Sequence, residues 1–165
     1  MSKYWKWGLS FAAMLVASLL LINWLFHVIS SAEWNTQRAA VQTAYEKTVL
    51  VKTHKVERFV GDQAYTVITG EDKVGRRLYV WVGDEGLRTE LAANGLDIEA
   101  VKAKVLEKQP RARVLRVTPG IQGDRLIWEV FYKLIPEGQS DEQHFYDYYT
   151  FYEGSWIDTW RLTIQ

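Results

Sequence analysis

The side chains best suited to chemistry are grouped in one short segment near the C-terminal end. The group contains one histidine and three carboxylates: Asp141, Glu142, His144 and Asp147. Imidazole and carboxylate are both metal ligands, but here all four would have to converge from a turn and the strand after it. The chain's other histidines, His27 and His54, form no metal-binding pair on one helix face. The segment is therefore predicted to be a solvated hairpin tip, with a metal site as the less favoured alternative.

Other catalytic arrangements are missing from the sequence. The chain contains no cysteine, so it has no thiol nucleophile, disulfide framework or cysteine-based metal site. It also lacks a Gly-x-Ser-x-Gly elbow and a phosphate-binding loop. The glycine-containing segment 119–124 is interpreted as a hairpin turn, and nothing desolvates the adjacent carboxylates Asp84 and Glu85. We therefore predict a protein that is not an enzyme and that uses no cofactor and no small-molecule substrate.

The first structural element is an apolar stretch at residues 7–32. It runs for 26 residues without a charged side chain, and roughly 20 apolar helical residues are enough to span a bilayer core. Lys3 and Lys6 precede the stretch, and Glu33 is the first charge after it. The positive-inside rule then predicts a cytoplasmic tail at residues 1–6, a single-pass transmembrane anchor at 7–32, and the rest of the chain outside the cell.

A cleaved signal peptide is the alternative interpretation of this stretch. Ser30, Ser31 and Ala32 provide the small residues that a signal peptidase requires. A signal-peptide apolar region is normally about 7–15 residues long, however, and this one is longer. The length favours a retained anchor.

The exported part is close to neutral. It holds all 20 acidic residues and 18 of the 20 basic ones, which gives no reason to expect nucleic acid as a partner. About 130 residues suffice for one domain, or for two very small ones that share a core.

The exported chain repeats one pattern twice, a helix followed by strands. In the first unit, helical spacing predicts a helix at 35–47, and strand-like runs follow at 49–60, 64–69 and 77–82. In the second unit, Asp97 is a good N-cap, the helix after it is stopped by Pro110, and four strands follow. These strands are predicted at 112–118, 125–134, 145–152 and 156–163. The turn at Gly61-Asp62 has a counterpart at Gly123-Asp124. The fold class is therefore α+β, with two modules that each pack one helix on an antiparallel sheet.

Two short runs carry a family resemblance, namely Val56-Glu57-Arg58-Phe59-Val60-Gly61 and Leu78-Tyr79-Val80-Trp81-Val82. With the N-terminal anchor and the later Trp128-Glu129-Val130, they resemble the TseB-like cell wall elongation regulators. The resemblance implies a bacterial membrane protein with two cystatin-like modules, at 33–83 and 97–165, joined by a connection at 84–96. The second module is implied to be of the PepSY type. In its last turn the acidic residue is displaced from the usual position, so we transfer no function to that turn.

The resemblance also implies a non-catalytic role in the growth of the cell wall. The expected partner is a penicillin-binding protein, a class B transpeptidase, on the outer side of the membrane. Two alternatives remain open at this stage: a PepSY-type module that binds or inhibits an extracellular protease, and a protein that binds peptidoglycan.

Aromatic residues are unusually dense between residues 126 and 160, where there are eleven. Strand alternation sends rings to both faces of the sheets, and one helix covers only one face of each. The surplus rings are either structural, packing the two modules together or filling cross-strand pairs, or they form a docking surface, since Tyr and Trp are enriched at interface hot spots. A stacking platform for the sugar rings of peptidoglycan is the third alternative. The candidate partner-binding residues are those opposite the helix-facing side: Tyr79, Trp81, Tyr146 and Tyr148.

Overall fold

The computed structural model describes the backbone of residues 3–162 and the side chains of residues 14–25 and 33–162. Helix α1 spans Lys3–Lys47 and is followed by strands β1 (Leu50–Val60), β2 (Ala64–Asp72), β3 (Arg77–Gly83) and β4 (Gly86–Leu91). A 3-10 helix at Ala92–Asn94 leads into helix α2 (Ile98–Lys108). The remaining strands are β5 (Arg113–Gln122), β6 (Arg125–Leu134), β7 (Gln143–Thr150) and β8 (Trp156–Leu162). The chain divides into two compact units, residues 1–39 and 40–165.

The first unit consists of helix α1 up to Ala39. Its described apolar side chains are exposed, for example Met14 and Leu20. Within the described residues, no helix combines the length and the apolar character needed to cross a membrane. The side chains at 7–13 and 26–32, more than half of the predicted anchor, lie outside the described residues.

The second unit confirms the predicted α+β class and the repeated order of a helix followed by antiparallel strands. It contains two four-stranded antiparallel sheets, β1-β2-β3-β4 and β5-β6-β7-β8, each meandering in chain order. Local sequence explains where α2 begins, because the Asp97 carboxylate accepts a hydrogen bond from the Ala100 backbone N–H at 2.7 Å, as an N-cap does. The helix ends at Lys108, before Pro110, as predicted.

Two local predictions were wrong. The segment 84–96, interpreted as a connection, holds β4, which pairs with β3 and forms the edge of the first sheet. The segment 119–124, interpreted as a turn, is mostly strand, because Pro119 and Gly120 pair with β6 and only Gly123 and Asp124 form the turn. An antiparallel strand can place a proline at a position where no ladder donor is needed.

Each sheet packs against a helix, and the two sheets also share a core. Leu78 and Val80 of β3 lie in a small cluster with Ala44 of α1. The next residues along β3, Tyr79 and Trp81, face the other way, into a large core that includes Val101 and Val105 of α2 together with residues of β5 and β6. The first sheet is therefore covered on both faces.

Specific contacts fix the two modules together. The Trp81 Nε1–H donates to the backbone carbonyl of Pro119 at 3.0 Å. The two corresponding turns also meet, because the backbone N–H of Gly123 donates to Oδ2 of Asp62 at 2.6 Å. The repeated Gly-Asp pairs therefore lie at the junction between the modules.

Candidate functional site

Two of the four predicted partner-binding residues lie in the core. Tyr79 is 5% exposed and Trp81 is fully buried. Both rings contact Phe151, at centroid distances of 5.9 and 6.2 Å, so they pack against the second module. The prediction that they form an exposed docking face was wrong, because the face that lacks a helix is covered by the other module.

The other two candidates, Tyr146 and Tyr148, lie on a sheet face that the described elements cover only in part: Tyr148 packs against the shared core, and both side chains are half-buried. We call this surface the outer face and define it by the strand pairing of β6, β7 and β8. It comprises three rows of facing residues: Lys133, His144 and Leu162; Phe131, Tyr146 and Trp160; Glu129, Tyr148 and Asp158. Alternation along β6 places Trp128, Val130 and Tyr132 on the opposite side, in the core.

The aromatic side chains of the outer face form two groups of contacting rings on neighbouring rows. Phe131 stacks on Tyr146 with ring centroids 4.7 Å apart, and on His144 at 5.5 Å. Tyr148 meets Trp160 edge to face at 6.4 Å. Trp160 is 62% exposed, whereas Phe131, Tyr146 and Tyr148 are half-buried. The stacked rings are held in place by their neighbours and present a large apolar area at little further cost in side-chain entropy.

A buried carboxylate lies beside these rings. Glu129 pairs with Arg116 at 3.1 Å and accepts a hydrogen bond from the Tyr148 hydroxyl at 3.4 Å. Burial raises the pKa of the Glu129 carboxyl, and the attraction of Arg116 offsets only part of that rise. Burial also raises the pKa of Tyr148, and the neighbouring Glu129 raises it further. The arrangement provides hydrogen-bonding groups next to an apolar surface, which suits molecular recognition.

The four residues considered as a metal cluster do not come together. Asp147 is fully buried and accepts hydrogen bonds from the hydroxyls of Tyr132 at 3.1 Å, Tyr149 at 3.0 Å and Thr159 at 2.6 Å. Glu142 pairs with Lys133, and His144 stacks on the outer face. In the part of the chain that the structure describes, no three or more histidine, cysteine or acidic residues are placed to hold a metal ion. Asp147 therefore acts as a structural acceptor inside the second module.

Two aromatic residues of the outer face, Phe131 and Trp160, were not selected as candidates from the sequence. Alternation already placed Phe131 on the side away from the helix, but nothing local marked it as a neighbour of Tyr146. Trp160 joins the outer face through its pairing with Tyr146 across β7 and β8 and its ring contact with Tyr148. Strand register was the missing information.

The fold and the outer face define a class: an α+β protein of two joined helix-and-sheet modules that presents a partly uncovered aromatic sheet face. Residues 39–83 match the family model described as the cell wall elongation regulator TseB-like domain. The probable cell wall elongation regulator TseB of Bacillus subtilis (strain 168) is 30% identical over 141 residues, which cover 78% of this chain and 81% of that protein. The structure of the YpmB protein from Bacillus subtilis superposes with a TM-score of 0.64 at 27% identity, covering 76% of this chain and 96% of that one.

This chain therefore belongs to the TseB-like family of cell wall elongation regulators. The resemblance found in the sequence is confirmed.

Proposed function

We propose that this protein is a non-catalytic, membrane-anchored regulator of cell wall elongation that binds a penicillin-binding transpeptidase through its outer face. Membership of a family named for regulation supports the regulatory, non-catalytic role. The two helix-and-sheet modules are, in this proposal, cystatin-like, and the second is of the PepSY type.

The proposed anchor comprises residues 7–32 of helix α1. Its support is the 26-residue run without a charged side chain, together with the exposure of Leu20 and Ile22 in the described part of that run. Apolar side chains exposed along a helix are stable when lipid surrounds them. The proposed topology leaves residues 33–165 outside the cell. Protease added to intact protoplasts should then remove a C-terminal tag, and a protected tag would contradict this topology.

The observation that carries the binding proposal is the partly uncovered set of aromatic residues Phe131, Tyr146, Tyr148 and Trp160. Interfaces concentrate their binding energy in a few aromatic and arginine side chains surrounded by polar groups. The outer face has this composition, with Arg116 and Glu129 beside the rings. Its rings also remain partly accessible, unlike those of Tyr79 and Trp81 in the first module.

The test uses a matched pair of exposed tryptophans on β8. Trp160 belongs to the outer face, whereas Trp156 lies at the other end of the strand beneath the ammonium group of Lys108. Both are largely exposed, at 62% and 53%, so replacing either with alanine should leave the fold intact. At a hot spot, Trp160→Ala should weaken partner binding by about 2 kcal/mol or more, roughly thirtyfold, whereas Trp156→Ala should not.

The measurement is crosslinking in living cells from a photoreactive residue at position 146, followed by identification of the captured protein. Recovery of a penicillin-binding protein that disappears with Trp160→Ala, and not with Trp156→Ala, supports the proposal. Recovery of an extracellular protease, or sedimentation of the purified protein with wall sacculi in the absence of any protein partner, would replace it with one of the two alternatives. Equal loss with both variants would place the interface away from the outer face.

A further inference from the structure

A cavity of about 790 Å³ lies within the second unit, on the side of the first sheet where β3 begins. It is bounded by the start of β3, the end of β4 with the 3-10 helix, and the first turn of α2. Its apolar wall includes Leu91, Ala92 and Ile98. The volume falls in the range of about 300–1,000 Å³ that is usual for ligand sites. The cavity has room for several amino-acid residues and shares no residue with the outer face.

The side chain of Tyr79 lines this cavity. Tyr79 is 5% exposed, and its ring is held edge-on against Trp128 at 5.7 Å. Because Tyr79 lines the cavity, its hydroxyl is within reach of a ligand there. Burial also raises the pKa of Tyr79, so at neutral pH the hydroxyl keeps its proton and is a hydrogen-bond donor. An acceptor atom of a ligand in the cavity would accept a hydrogen bond from it.

Of the cationic side chains that line the cavity, Arg77 is the one that could bind an anionic ligand, because the others are already ion-paired. Arg76 pairs with the Asp72 carboxylate at 2.7 Å, and Lys102 pairs with Glu99 at 2.7 Å. Arg77 is exposed and has no ion pair among the described residues. It lies two positions before Tyr79 in β3, on the same side of the strand, and its charge lowers the pKa of that tyrosine, partly offsetting the effect of burial. A guanidinium group and a hydroxyl donor therefore face the cavity together.

These groups are complementary to a ligand that carries one carboxylate and is otherwise largely apolar. An arginine side chain binds a carboxylate through two parallel N–H donors, and the hydroxyl adds a third. A phosphate group would bring more negative charge beside Asp97, which also lines the cavity and has no ion pair among the described residues, and that carboxylate would repel it. The same carboxylate suits an amino group elsewhere on the ligand. A short peptide with a free C-terminus carries all of these groups.

We propose that this cavity binds the C-terminal carboxylate of a short peptide, with Arg77 and Tyr79 holding the carboxylate and the apolar wall receiving the last side chains. Peptides of this chemistry come from two sources, the stems of the cell wall, which end in D-alanine, and protein chain ends, which have L-residues. The inference stands apart from the proposed function, since it requires neither the outer face nor a transpeptidase.

The experiment titrates the purified full-length chain with four peptides and follows binding by calorimetry. The peptides are acetyl-Lys-D-Ala-D-Ala and acetyl-Lys-L-Ala-L-Ala, each as the free acid and as the C-terminal amide. We expect at least one free acid to bind and its amide to bind at least about tenfold more weakly, the scale of losing one charge-assisted hydrogen-bonded pair. Preference for the D-peptide identifies wall stems as the source, and preference for the L-peptide identifies protein chain ends.

Three variants assign the binding to the cavity. Arg77→Gln should weaken binding of the free-acid peptide by about tenfold. Tyr79→Phe, which removes only the hydroxyl, should weaken the same binding by a smaller factor. Arg125→Gln is the matched control, because this arginine is also exposed and opens a strand, but lies outside the cavity. Thermal unfolding of each variant confirms that it is folded. The proposal is overturned if neither free acid binds, if acid and amide bind equally, or if Arg77→Gln or Tyr79→Phe binds as the unchanged protein does.

Discussion

Replacing Gly120 with alanine tests the junction between the two modules most directly. Gly120 lies in β5, and a Cβ atom added there would be 2.3 Å from Cζ and 2.4 Å from Cε2 of the Phe59 ring in β1. Phe59 is 3% exposed and belongs to the shared core, so its ring has little room to move. The backbone at Gly120 is not in the left-handed region. The substitution therefore probes close packing between the sheets and not backbone strain.

The two effects of this substitution differ in size. Overpacking a well-filled core costs about 1–3 kcal/mol, because side chains must leave their preferred rotamers. Alanine also has less conformational freedom than glycine in the unfolded chain, and this stabilises the folded state by about 0.4–1 kcal/mol. We therefore expect Gly120→Ala to lower the free energy of unfolding by roughly 1–2 kcal/mol, and the melting temperature by about 3–5 °C for each kcal/mol in a unit of this size.

A double-mutant cycle shows whether Phe59 is the cause. Phe59→Leu removes the ring atoms that the new Cβ would meet, so it should relieve the clash, although alone it costs roughly 1–3 kcal/mol. The double variant should be more stable than the sum of the two single effects, by about 0.5–3 kcal/mol. Urea unfolding of the full-length protein, followed by tryptophan fluorescence, measures all four states. Additive effects, or a stable Gly120→Ala variant, would show that the two sheets do not meet as described.

Further predictions concern the cores and the pH dependence. Trp81→Phe removes the hydrogen bond between the modules and should lower the free energy of unfolding by roughly 1–3 kcal/mol in urea titrations, whereas Trp160→Phe at the exposed outer face should change it by less than about 0.5 kcal/mol. Asp147→Asn weakens a buried acceptor of three hydroxyls and should cost roughly 1.5–3 kcal/mol in the same assay; no measurable change would contradict the structural role. Burial raises the pKa of Glu129 in the folded state, so the folded protein binds the carboxyl proton more tightly than the unfolded chain does. The stability that this group contributes is therefore lost as the pH rises from about 4.3, the value for the unfolded chain, through the raised pKa. Melting curves between acidic and neutral pH should therefore show a smaller loss of stability on raising the pH for Glu129→Gln, and unchanged pH dependence would refute the shift.

Local chemistry made much of the fold predictable. The start of α2 follows from a single N-capping side chain, and its end from a proline two residues on. Strands β1, β2, β3 and β6 were found within about three residues, because alternation and turn residues act over short distances. Strand β4 is only six residues long, and its side chains are all exposed or half-buried, so no buried apolar face marked it as a strand. An edge strand owes its position to its neighbour's hydrogen-bonding groups, which the local pattern does not record.

The candidate site depended on information that is not local. The sequence by itself determined that both faces of β3 and β7 carry large side chains, since alternation is a property of the extended backbone. Only the tertiary structure decided which face is covered. Tyr79 and Trp81 are buried because the second module packs on the first sheet. Tyr146 and Tyr148 stay half-buried because α2 packs on the other side of the second sheet, and, among the described residues, the first module reaches their side only at the Gly120 end. Burial results from contacts between residues far apart in the chain, so neither face could be assigned before the modules were placed together.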